Sequence, residues 1–214
     1  MATARKWSQV AIAMQSAIAA TKTITAITKA SPGVVSSTAH GYSNGDFVLL
    51  TVQGMRQVDQ RVFRVSGVAT DSFSLEGEDT TNYDAFSSGT AQKLTFGTSI
   101  TTATTLSNSG GGYSFIDVTT VHDNTQKQIP GLAEASNFEF DNIWDISDAG
   151  LIAMKSASDQ QAQRAFKFTF GSGGQIMVFT GYVGANLLPG GAAQQLVTTK
   201  AAITMNGTPT YYSS

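Results

Sequence analysis

The sequence predicts a mainly β protein: a β-sandwich or β-barrel core with one short α-helix, and a second, smaller β-barrel inserted into it. Three observations carry this. Phe138 and Phe140 alternate with Glu139 and Asp141, and Phe166, Phe168 and Phe170 alternate with Lys167 and Thr169, the period of strands with one buried face. A helical start signal precedes a short apolar stripe near Asp148. Residues 23–93 hold closely spaced β runs between turn residues. A chain of 214 residues can bury a real core, as one large domain or two small ones.

At the N-terminus, Arg5-Lys6 followed by the apolar stretch 10–20 imitates a secretory signal. Gln15 and Ser16 interrupt it, and the alternation of Val10, Ile12 and Met14 fits a strand over 6–16 better. From residue 23 the style changes: runs at 24–28, 34–38, 47–52, 61–65 and 72–75 are separated by Pro32-Gly33, Asn44-Gly45 and Gly54. Five short strands in this length make a small barrel or sandwich. Residues 23–93 carry five basic against seven acidic side chains, while the remainder balances at eight of each, so this block reads as the acidic, water-facing part. Residues 76–79 and 83–89 read as its solvated loop and exit linker.

Leu94 to Phe96 resumes the first domain, and residues 97–112 follow as a Thr/Ser/Gly-rich stretch ending in Ser109-Gly110-Gly111-Gly112. Such a segment cannot bury enough apolar surface to fold alone and reads as a loop. Residues 116–121 read as a strand, and Ile129-Pro130-Gly131-Leu132 as a turn into the next one, Ile129 being held extended by the proline after it. Asp145-Ile146-Ser147-Asp148 offers N-cap oxygens, and Leu151, Ile152 and Met154 supply an apolar face for a helix over 148–157. Gly171-Ser172-Gly173-Gly174 then turns the Phe-rich strand into the apolar run 176–179, a hairpin.

The chemistry implied is structural. The absence of cysteine removes disulfides, thiolate metal sites and cysteine nucleophiles. His40 and His122 are the only histidines; His40 reads as a capping or stacking residue, and His122 with Asp123 lacks further metal ligands. The Gly171–Gly174 turn lacks the Gly-Lys-Ser/Thr of a phosphate cradle. Asp145 and Asp148 have helix-start placement, which favours capping over acid–base work. Asn206-Gly207-Thr208 matches a glycosylation acceptor, which has no meaning without a secretory signal. The net charge of −2 argues against a tight grip on nucleic acid phosphates, though not against passing contact with DNA. No apolar run approaches the length of a membrane span. We therefore expect no catalytic residues, no cofactor and no metal, and we look to unpaired strand edges for joining copies. The candidates are residues 6–16 and 175–182, with Val10, Ile12, Met14, Ile176 and Val178 on them; the same segments also read as ordinary core strands, and the two readings are compatible.

Residues 117–120, the turn Pro130-Gly131-Leu132, the strand 137–140, the helix 148–157 with Asp148, Leu151 and Met154, and the strand 164–170 together resemble the major tail (tail tube) proteins of long-tailed, non-contractile bacteriophages. Within 23–93, Ala39-His40-Gly41-Tyr42-Ser43-Asn44-Gly45-Asp46, Gly54-Met55, Arg61-Val62-Phe63-Arg64-Val65 and Asp71-Ser72-Phe73-Ser74-Leu75 resemble a β-barrel module found in ubiquitin-activating enzymes and phage structural proteins; Asp59-Gln60 stands where relatives carry Asn-Gly. These resemblances imply a core domain of residues 1–22 and 94–214 split by an inserted barrel at 23–93. They imply a virion subunit made in the host cytoplasm, self-assembling into stacked hexameric rings, with tape measure and other tail proteins as partners and viral DNA passing through the bore. The Thr/Ser/Gly stretch would be the inter-ring loop, with Thr98, Ser99, Thr101, Thr102, Thr104, Thr105, Leu106, Asn108, Gly110 and Gly111 reaching toward neighbours. The alternative is a β-rich binding module or adhesin recognising a surface glycan or receptor, with Tyr42, Tyr83, Phe86 and Trp144 as a stacking platform.

Overall fold

The computed structural model describes residues 9–171 and 174–213. Of the segments anticipated above, Arg5, Lys6 and Trp7, and Ser172 and Gly173 of the turn, lie outside the described residues. In chain order the strands are β1 (Val10–Met14), β2 (Ala17–Ile18), β3 (Lys22–Ile24), β4 (Ala26–Ile27), β5 (Val34–Ser36), β6 (Phe47–Gln53), β7 (Val62–Ser66), β8 (Ser72–Leu75) and β9 (Ser88–Thr95). Then come β10 (Thr98–Ile100), β11 (Ala103–Ser109), β12 (Tyr113–Asp117), β13 (Gln128–Ala133), β14 (Asn137–Ile143), the helix α1 (Ala149–Asp159), β15 (Arg164–Phe170), β16 (Gln175–Ala185) and β17 (Thr198–Tyr212). The fold is mainly β with one α-helix among the described residues, as the alternating patterns predict.

A seven-stranded antiparallel sheet, in the order β10-β1-β15-β16-β17-β14-β11, forms the core. Its two outermost strands, β10 and β11, are joined by Thr101 and Thr102 alone, so the sheet must curl until its opposite edges nearly meet. The Phe alternation fills the inside of the curl: Phe140, Phe166, Phe168 and Phe179 are buried there with Met14, Met177 and Ile203. Ring contacts tie the strands together, Phe168 lying 5.3 Å from Phe138 and 5.5 Å from Phe179 between centroids. Helix α1 closes the curl, burying Leu151, Met154 and Ala157. It begins where expected because Asp148 caps it, its carboxylate accepting from Leu151 N at 2.8 Å. Gly150 is required at the contact with β10, since a Cβ there would meet the Ser99 carbonyl oxygen at 2.6 Å.

The second sheet runs β2-β9-β6-β7-β8-β5-β4, with β3 also on β9. Because β3 runs directly into β4, its two ends are covalently continuous and the sheet closes around Val35, Val48, Leu50, Phe63, Phe73 and Leu75. All five β runs read in residues 23–93 fall on strands of this sheet. Gln60 takes up the left-handed conformation (φ 54°) in the turn where glycine is the easier residue. His40 is buried: Nδ1 accepts from Tyr42 N at 3.0 Å, which puts the ring proton on Nε2, facing the Ala69 and Ser72 carbonyls.

The two sheets share a third apolar cluster, in which Ala165, Val178 and Tyr212 on the outside of the core sheet pack on Val62 and Leu94. Arg64 fastens this contact. Its backbone N–H donates to the Tyr212 hydroxyl at 2.7 Å, its guanidinium lies 4.7 Å above the Tyr212 ring, and it pairs with Glu76 and donates to the Ser213 carbonyl. Burial raises the Tyr212 pKa.

Four sequence expectations need correction. Ile129-Pro130-Gly131-Leu132 is not a turn but lies inside β13, where Pro130 is tolerated because β13 pairs on one side only, with β12. The stretch 97–112 is not a loop: β10 and β11 occupy most of it, because Thr is at home in strands and β11 needs only one partner, β14, to satisfy its ladder. The strand expected over 116–121 starts earlier and ends at Asp117, whose carboxylate accepts from Thr119 N and turns the chain. Part of the expected exit linker 83–89 is strand, since β9 begins at Ser88 and lies between β6 and β3.

Candidate functional site

β12 and β13 form a hairpin that pairs with no other described strand. It leaves the core sheet where β11 ends and β14 begins, Ser109 facing Asn137 across the ladder. Its root is fixed by glycine: Gly110 and Gly111 have φ of 79° and 80°, and a Cβ on Gly110 would meet the Ala135 carbonyl oxygen at 2.3 Å. Its tip is braced by side chains. Asp117 accepts from Thr119 N and Gln126 Nε2, while Asp123 accepts from Thr120 N and pairs with Lys127. These bonds, led by Thr119 for Asp117 and by Lys127 for Asp123, hold both carboxyls below the usual carboxylate range. The Asp123 carboxylate is thus committed to the turn, with His122 exposed beside it.

The hairpin's apolar side chains are uncovered. Tyr113 is 61%, Phe115 62%, Leu132 86% and Val121 97% exposed, and Ile116 and Ile129 are half or more exposed. An isolated two-stranded ribbon is marginally stable in water and needs a packing surface on at least one face. No other described element supplies one. From the sequence this segment reads as a strand over 116–121 followed by a turn at 129–132, whereas the chain forms two paired strands, β12 and β13, joined by residues 118–127.

The candidate joining strands separate sharply. β16 is flanked on both sides, by β15 and β17, so Ile176 and Val178 cannot pair with another chain, and Val178 is buried against the second sheet. Ile12 and Met14 lie in the core, and β10 pairs along their strand. Val10 is different, because β10 stops short of it. With Ala11 it faces Ala103, Thr104, Thr105 and Leu106 of β11 across a cleft of about 760 Å³.

The residues anticipated in the loop divide as follows. Thr98 and Ser99 lie in β10, Thr101 and Thr102 link the edges, Thr104, Thr105, Leu106 and Asn108 lie in β11, and Gly110 and Gly111 form the hairpin root. Thr104 Oγ1 donates to the Asp141 carbonyl and Thr105 Oγ1 to its carboxylate at 2.7 Å, which ties β11 to β14 on one side. On its other side β11 pairs with no described strand. Next to it, Ser107, Glu139, Asp141 and Lys200, with Ser158 of α1, line an open cleft of about 650 Å³.

The aromatic platform does not form. Tyr42 is buried in the second barrel with its hydroxyl on the Ala91 carbonyl at 3.0 Å, and burial pushes its pKa up to about 12. Trp144 sits on the other sheet, its indole N–H donating to the Leu187 carbonyl. Asp145 caps its own turn, accepting from Ser147 N and Oγ.

A family model described as phage tail tube protein matches residues 53–214. Comparison with curated proteins gives no match.

Proposed function

The chain belongs to the phage tail tube protein family, and on that premise we propose that its copies close into hexameric rings that stack into the conduit for genome delivery. It is a structural subunit of the virion tail. The observation that carries the assembly reading is the hairpin at residues 113–133, whose uncovered apolar side chains need a packing partner that no other described element provides. A neighbouring copy meets that need. The edge of β11 that no described strand pairs offers a second joint, through which a sheet continues from copy to copy within a ring. Glu139, Asp141 and Lys200 in the open cleft suit a bore in which phosphates slide without sticking.

In this reading Thr98 and Ser99 of β10, Thr104, Thr105, Leu106 and Asn108 of β11, the Thr101-Thr102 link, and Gly110 and Gly111 at the hairpin root support the contact between rings. Tape measure and other tail proteins, and transiently the viral DNA, are its partners, and assembly follows synthesis in the host cytoplasm. We keep the division into a core of 1–22 and 94–214 and an inserted barrel at 23–93, which the separate buried clusters support, and place the barrel outside the tube wall. Shape and charge do the work in this scheme; no catalytic step is part of it.

Replacing residues 112–134 by a short Gly/Ser linker tests the proposal. The expected product is a folded protein, with the parent's melting temperature, that forms no tubes by negative-stain electron microscopy. Tubes of normal length from that variant would overturn the role of the hairpin.

A further inference from the structure

The chain contains two Asn-Gly pairs, Asn44-Gly45 and Asn206-Gly207, and the fold treats them oppositely. Asn44 is locked at both atoms that matter: its side-chain Oδ1 accepts from Val68 N at 3.1 Å, and the Gly45 N–H donates to the Val65 carbonyl at 2.8 Å. Asn206 is exposed, and its side-chain amide has no partner among the described residues. Gly207 falls outside the ladder. The register jumps from Thr180 opposite Asn206 to Val178 opposite Thr210, so residues 207–209 bulge from β17. Gly207 has φ 86°, and a Cβ there would meet nothing within 4 Å.

We propose that Asn206 is a site of spontaneous covalent modification, the conversion of its amide to aspartate and isoaspartate. The deprotonated Gly207 nitrogen attacks Asn206 Cγ; the new N–C bond closes a cyclic imide, and the bond to the amide nitrogen breaks, releasing ammonia. Water is the only co-reactant. It opens the imide at either carbonyl, giving aspartate with the original backbone or isoaspartate with the chain routed through the side-chain carbon. The missing side chain at Gly207 leaves the attack unhindered, and the exposed Asn206 amide lacks the side-chain bond that restrains Asn44. The product carries a carboxylate where the chain had a neutral amide. It also alters the backbone at a point fastened to both sheets, since Thr180 Oγ1 lies 2.9 Å from the Asn206 carbonyl and 3.1 Å from the Gln60 carbonyl.

The test is peptide mapping by mass spectrometry of the full-length protein held folded at mildly alkaline pH, beside a sample held in denaturant. The expected result is acid formation at Asn206 several-fold faster than at Asn44 in the folded sample, faster still as pH rises, and similar rates at the two sites once unfolded. Asn206→Gln, which lengthens the side chain and disfavours ring closure, should abolish the signal from this peptide without removing the bulge. Equal protection of Asn206 and Asn44 in the folded protein, or conversion that ignores pH, would overturn the proposal.

Discussion

Phe168 is fully buried and touches the rings of Phe138, Phe140 and Phe179, so truncating it leaves a hole that its stiff strand neighbours cannot fill. Phe168→Ala should cost about 3–5 kcal/mol in denaturant unfolding. An unchanged midpoint would refute its placement inside the curl. Asp148→Ala removes the acceptor for Leu151 N and should cost about 1 kcal/mol, read as a lower melting temperature. Both residues were legible in the sequence because each obeys a local rule, the strand period for one and the helix start for the other. Tyr42 and Trp144 were not, because local spacing does not say whether an aromatic side chain finds a partner such as the Ala91 or Leu187 carbonyl far along the chain.

Among the elements, α1 and the β15–β16 hairpin announce themselves by periodicity, whereas β11 hides behind Thr, Ser and Asn. An edge strand with one pairing partner needs few apolar side chains, so composition alone makes it look like a loop. Deleting residues 99–111 should therefore lower the melting temperature markedly, because it strips β10 and β11 from the core sheet along with any contact between rings. A melt unchanged from the parent would show that these strands add nothing to the fold. The projecting hairpin depends on acidity instead. Asp117 and Asp123 ionise more readily folded than unfolded, so their contribution is present at neutral pH and is lost as pH falls through their lowered folded values. The protection of the Thr119 and Thr120 amides, measured as exchange relative to the intrinsic rate at each pH, should hold through neutral and mildly acidic pH and fall only in acid below the ordinary Asp range. Loss of protection near neutrality would contradict the bracing assigned to these carboxylates.

At the scale of the molecule, the two clusters of short and long strands were readable from the change of style at residue 23, but their mutual packing was not. Ala165, Val178 and Tyr212 look like residues of one strand face, and only the folded chain brings them against Val62 and Leu94. Excising 23–93 and joining the ends by a short linker should thus give a protein that aggregates through a newly bared face. Adding Ile176→Thr and Val178→Thr should restore solubility, and electron microscopy of that variant then reads whether rings and tubes survive. Their loss in a soluble, folded variant would assign the inserted barrel a part in assembly.

The Thr101-Thr102 link has a mechanical meaning. From Ile100 to Ala103 the chain can stretch to about 11 Å, so the two lips of the curled sheet cannot spread further than that at this end, whatever load is applied. Each copy behaves as a hoop with a short tether across its gap and the helix as a plug in its mouth. A filament made of such hoops cannot bend by flattening its units. On the proposed assembly it would flex instead at the joints between copies, where the projecting ribbon would tilt without unravelling the sheet that carries it.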